Sequence, residues 1–168
     1  MKIKGMKKPP LQMEFYYFQD INVRINQEIP VDKISPDKIG LGIDLEPKSF
    51  LSESDPLRYK VELRIKAEEI KGKIKPYEID VLAVGFFSIE KDVPKEKRGG
   101  IVSVLGANLL YGAARELIFQ LTARSPFQPV YLPTTSFVPE EKDAKLASQK
   151  SGKAASPKPK KVLPSRPR

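Results

Sequence analysis

The side chains with which this chain can do chemistry are carboxylates, lysines, arginines and tyrosines, because the sequence contains neither histidine nor cysteine. Without histidine it lacks the group that titrates near neutral pH and most often ligates metals. Without cysteine it lacks thiolate nucleophiles, disulfides and cysteine-ligated zinc. The carboxylates that stand together, Glu68-Glu69 and Glu140-Glu141, are sequence neighbours. Acid/base catalysis by a carboxyl pair needs two groups held across a gap of about 5–9.5 Å, so these pairs are expected to be solvated charges. Ile39-Gly40-Leu41-Gly42-Ile43-Asp44 is the nearest approach to a phosphate-cradling loop. It lacks the third glycine, the strand-turn-helix setting and a lysine at the Walker spacing. No cofactor, metal or catalytic role is therefore expected, and binding is the expected work of the chain.

Charge is concentrated at the ends. Residues 144–168 hold eight basic residues and no acidic one, and residues 1–8 hold four basic residues. The stretch between has 18 basic against 21 acidic residues, a net of −3 in a chain whose total is +9. The tail, with Lys158-Pro159-Lys160-Lys161, Arg166 and Arg168, has three readings: a solvated tail, a contact for an acidic protein or membrane lipid, or weak nucleic-acid binding through counterion release. It has no interleaved aromatics for base stacking. No run approaches the roughly 20 apolar residues that span a bilayer, and the start lacks the apolar core of a signal peptide. A cytoplasmic location is expected.

At 168 residues the chain has room for one ordinary domain and a tail. Residues 1–10 read as a basic arm, 11–148 as the domain and 149–168, dominated by Ser, Lys, Ala and Pro, as disordered. Within the domain, Met13, Phe15, Tyr17, Ile21, Val23 and Ile25 share a parity opposite Asp20, Asn22 and Arg24, with Gln19 as the break. That period of two predicts a half-buried strand. Ile39, Leu41, Ile43 and Leu45 predict a second strand, ended by Pro47, and Tyr59, Val61, Leu63, Ile65 and Ala67 a third. A fourth holds Tyr77, Ile79, Val81, Ala83, Phe87 and Ile89 on one side, while Leu82, Val84 and Phe86 make its other side apolar too. One helical layer covers one face. The surplus requires either another part of the same chain or a second subunit or ligand.

After Gly99-Gly100 the period becomes helical, with Leu110, Ala113, Ala114, Leu117, Ile118 and Leu121 in one stripe. Asn108 is a plausible N-cap, and Pro126 ends the helix after about five turns. The segment Pro126 to Pro133 is too rich in proline for an interior strand and is expected to lie extended. A short second helix is expected from Pro139 to Gln149. The class is α+β.

The run Leu105-Gly106-Ala107-Asn108-Leu109-Leu110-Tyr111-Gly112-Ala113-Ala114-Arg115-Glu116, then Leu121-Thr122-Ala123-Arg124-Ser125-Pro126-Phe127 and Leu132-Pro133 before Phe137, closely resembles the carboxyl half of the SecB family of protein-export chaperones. Asp20-Ile21 and Gly85-Phe86-Phe87-Ser88-Ile89 agree in order. The resemblance spans Glu14 to Val138, about three quarters of the chain. It implies a four-stranded antiparallel sheet with one long helix, a proline-rich crossover and a short second helix. It also implies subunits paired through sheet edges and helices, two pairs forming a homotetramer, and an ATP-independent holdase that grips unfolded clients and delivers them to the translocation ATPase SecA. The family's acidic docking surface has counterparts at Asp20 and Asp80, while Arg24 and Glu78 depart from its pattern. These departures leave room for a chaperone with a narrow client, such as an antitoxin, and an RNA-associated protein is a third reading. The expected client groove is bordered by Phe127, Val130, Tyr131, Leu132 and Phe137 on one side and by Leu82, Val84 and Phe86 on the other.

Overall fold

A computed structural model describes residues 9–30 and 35–138. Strands β1 (Leu11–Ile25), β2 (Gly42–Leu51), β3 (Arg58–Glu68) and β4 (Tyr77–Ile89) precede one helix, α1 (Lys95–Thr122). All pairings are antiparallel and the spatial order is β1-β4-β3-β2. β1 and β2 are thus the two edges, and the segment joining them, with a 3₁₀ turn at Pro36–Lys38, passes from one edge to the other. This is the expected α+β architecture. The second helix expected after Pro139, the tail from residue 149 and the arm as far as residue 8 lie outside the described residues.

The odd-numbered residues of β3 and β4 form the floor on which α1 packs: Val61, Leu63, Ile65, Val81, Ala83 and Phe87 are fully buried. The helix sets Val102, Ala107, Leu110, Ala114 and Ile118 against them. By length and composition α1 could cross a bilayer, contrary to the expectation that no run approaches such a span. Those five apolar side chains are instead consumed by the sheet, as in a core helix.

Three local expectations are corrected. In β1 the register slips between Met13 and Phe15 and again between Phe18 and Asp20. Each slip is a bulge that adds a residue and reverses parity. Phe15 and Tyr17, paired with Phe86 and Val84, therefore lie on the face away from α1, while Tyr16 and Phe18 join Ile21 and Val23 on the helix side. β2 does not stop at Pro47, which pairs with Leu63. An edge strand tolerates a residue that cannot donate to the ladder. Finally, α1 begins after Pro94, not at Asn108, whose side chain donates to the Val104 carbonyl in mid-helix at 2.9 Å. Gly99-Gly100 cost the helix roughly 1 kcal/mol each relative to alanine. The buried guanidinium of Arg98, donating to the carbonyls of Val93 (2.9 Å) and Lys91 (3.0 Å), ties the start down.

Candidate functional site

The chain leaving α1 passes back beside the start of β4 as an extended segment from Pro126 to Pro133, neither helix nor strand. Proline has no amide N–H, and three stand here. Several of the other main-chain groups are met by hydroxyls. Tyr77 Oη bonds Ser125 Oγ and donates to the Gln128 carbonyl at 3.1 Å. The Val130 N–H donates to Thr122 Oγ1 at 2.9 Å, and Tyr111 Oη donates to the Pro133 carbonyl at 2.7 Å. Burial raises the Tyr111 pKa above the ordinary tyrosine value, against the opposing pull of Arg115, which keeps this phenol a donor.

Across from the segment stand Ile39, Leu41 and Ile43, and the two walls enclose a groove of about 440 Å³, with Pro36, Pro76 and Tyr77 completing the lining. Of the residues expected to bind clients, Val130 is half-buried and Tyr131 is 75% exposed, its ring 5.0 Å from that of Phe119. Phe127 (8% exposed) meets the Tyr77 ring edge-on, and Leu132 (2%) belongs to the core. Both line the groove while anchoring its wall. Phe137 packs edge-on against Tyr111, half-buried. Leu82, Val84 and Phe86 are elsewhere. Being even-numbered in β4, they lie on the face away from α1, where Phe86 stacks on Phe15 at 4.6 Å and Val84 is buried. One groove bordered by both sets is therefore not formed within the chain, because the sheet stands between them. The wall that sequence reasoning missed is Ile39, Leu41 and Ile43, whose alternation was read as strand core.

The face away from α1 also carries the two acids expected to dock a translocase. Asp20 is exposed, whereas Asp80 accepts from Arg64 twice, Nε and Nη2 each at 2.7 Å. On this face the seven acids Asp20, Asp44, Glu46, Glu62, Glu68, Glu78 and Asp80 stand among the six bases Arg24, Lys48, Arg58, Lys60, Arg64 and Lys66, and Glu14 of β1 reaches Arg58 at 3.5 Å. Glu78 pairs with Lys75 at 2.8 Å. The hydrogen bond from Arg64 holds the Asp80 carboxyl below the usual carboxylate range. A depressed carboxylate pKa adds stability above the unfolded value of about 4, and that stability is lost as pH falls through the folded value. Asp80→Asn is accordingly expected to lower the thermal midpoint at pH 7 by a small amount, because the pair is partly exposed, and that difference from wild type is expected to shrink as pH falls below ~4.

Among the described residues no group of three or more His, Cys, Asp or Glu is placed to hold a metal, and no buried side-chain polar atom lacks a partner. What the fold presents instead is an extended groove lined mostly by apolar side chains. The family model described as preprotein translocase subunit SecB matches residues 4–139, and the chain belongs to the SecB family. It is therefore a SecB-like chaperone and not an enzyme. It is 24% identical over 130 residues to the protein-export protein SecB of Psychrobacter arcticus, covering 77% of this chain and 84% of that one. The SecB of Psychrobacter cryohalolentis is likewise 24% identical over 130 residues, with 77% and 83% covered. Among solved structures, a SecB-like chaperone of Mycobacterium tuberculosis, in complex with a ChAD peptide from the HigA1 antitoxin, aligns with a TM-score of 0.53 and 18% identity. The alignment covers 76% of this chain and 92% of that chain.

Proposed function

We propose that the chain is a cytoplasmic, ATP-independent holdase that binds unfolded preproteins and keeps them competent for export, acting as a homotetramer built from two dimers. The observation that carries this reading is the groove of about 440 Å³ between the proline-rich segment and Ile39, Leu41 and Ile43. Walls of mostly apolar side chains with main-chain polar groups between them can take many sequences, and a wall already extended reduces the entropy lost on binding. Tyr131 is the test residue, because it is exposed and its loss opens no core cavity. Tyr131→Ala is expected to weaken binding of a dye-labelled, reduced and carboxymethylated polypeptide on the order of tenfold, with the mass of the assembly unchanged in light scattering. Unchanged affinity would remove Tyr131 from the site.

A second reading is a chaperone for one narrow client, such as an antitoxin. What favours it is the outer face, where bases are interleaved with the acids and Asp80 is committed to Arg64. A translocation ATPase that docks on acidic surface finds there only a small acidic excess, much of it already in ion pairs. Titration with SecA separates the two readings: saturable binding supports export, whereas no binding together with one tight client supports the second.

A further inference from the structure

We propose that Tyr77, Tyr111 and Thr122 are positioning residues that hold the groove open by pinning its proline-rich wall at three successive points. The proposal rests on the groove being the polypeptide site. Most side chains of both walls are apolar, so bringing them together would bury surface at ~25 cal/mol per Å²; burial of Phe127 and Leu132 ties the wall to the core, and its main chain must still be held at a set distance from Ile39, Leu41 and Ile43. No strand ladder does so, since the segment belongs to neither helix nor sheet.

The three pins meet the wall at the Gln128 carbonyl, the Val130 N–H and the Pro133 carbonyl. They come from three places in the fold: the first residue of β4, the last of α1 and the middle of α1. Each is the hydroxyl of a buried side chain on an apolar stretch. Filling the core would need only phenylalanine and valine there, and a buried hydroxyl is costly unless it is bonded. Among the described residues, the hydroxyls of Tyr77 and Tyr111 bond only to the segment that follows α1, while Thr122 also donates to the Ile118 carbonyl of its own helix. Their geometry fixes where the main chain of the wall stands relative to Ile39, Leu41 and Ile43. Removing a pin lets the wall settle across the gap, and apparent affinity falls with the fraction of molecules still open.

The experiment uses the full chain and the same dye-labelled, reduced and carboxymethylated polypeptide, followed by fluorescence anisotropy. Tyr77→Phe, Tyr111→Phe and Thr122→Val are each expected to raise Kd on the order of tenfold, the value for a tenfold drop in open population. Thr122→Ser, which keeps the hydroxyl, stays within about twofold of wild type on the same scale. Loss of amide-exchange protection at Val130 in Thr122→Val reports the broken pin directly, even where that variant is less stable. Val102→Ala loses stability at a buried site outside the groove and is expected to leave Kd unchanged. The role is overturned if the three variants bind like wild type, or if Val102→Ala weakens binding as much as they do. Wild type that binds no unfolded polypeptide overturns the chaperone reading itself, and this role with it.

Discussion

Phe87→Ala is expected to lower the stability of the fold by about 3–5 kcal/mol, read as a shift of the denaturant midpoint. The ring is fully buried on the helix side of β4, between Met13 of β1 and Tyr59 of β3 in register. Two glycines make room for it between helix and sheet. A Cβ at Gly85 would lie 2.7 Å from Phe87 Cε2 and 2.9 Å from Leu110 Cδ2. A Cβ at Gly106 would lie 2.8 Å from Val61 Cγ2 and 3.5 Å from Phe87 Cε2. Ring and notch are one arrangement: the ring fills what the glycines leave, and the helix can approach because they leave it. Since a domain is stable by only ~5–15 kcal/mol, this loss is a large fraction of the total. A cost below ~1.5 kcal/mol would show that the site collapses around the smaller side chain and that the notch does not set the helix position.

How far such features could be read beforehand differs by element. The alternation in β3 is uninterrupted and predicts strand and face together, whereas in β4 it holds only as far as Asp80, beyond which both sides are apolar and the pattern gives the strand without its outer face. The bulges of β1 were visible only as the break at Gln19, because a bulge is defined by the strand opposite, and no local pattern says that Phe15 and Tyr17 change face. The start of α1 was hidden by Gly99-Gly100, whose propensity argues for a break that Pro94 and the buried Arg98 overrule. Half of the groove was legible in the proline spacing of Pro126, Pro129 and Pro133. Its other wall was not, since Ile39, Leu41 and Ile43 meet that segment only through the fold. That Leu82, Val84 and Phe86 lie across the sheet from the proline-rich segment follows from strand parity alone. A segment leaving a helix that covers the odd residues of β4 starts on the odd side, and the even residues face the other way.

The same parity locates the surplus apolar surface and yields the other large expected effect, which concerns assembly. Val84 is buried within the single chain, and Leu82 and Phe86 are half-covered. The densest group of exposed apolar side chains sits on β1, the edge strand, where Met13, Phe15, Tyr16, Tyr17, Ile21 and Ile25 remain 37–54% exposed on both faces. Covering such side chains recovers a share of ~1.5–3 kcal/mol each, and an apolar edge with unpaired main-chain groups invites another strand. Ile21→Asp places a charge there. In the isolated chain it stands in water at little cost, whereas in an assembly closed over β1 it is a buried charge without a partner, costing several kcal/mol. Light scattering is expected to show a multiple of 18.9 kDa for wild type and 18.9 kDa itself for Ile21→Asp. Leu51→Asp, equally exposed at the end of the opposite edge strand, is expected to keep the wild-type mass. Dissociation by Leu51→Asp but not by Ile21→Asp would move the interface to β2, and wild type at 18.9 kDa would refute assembly through this surface altogether.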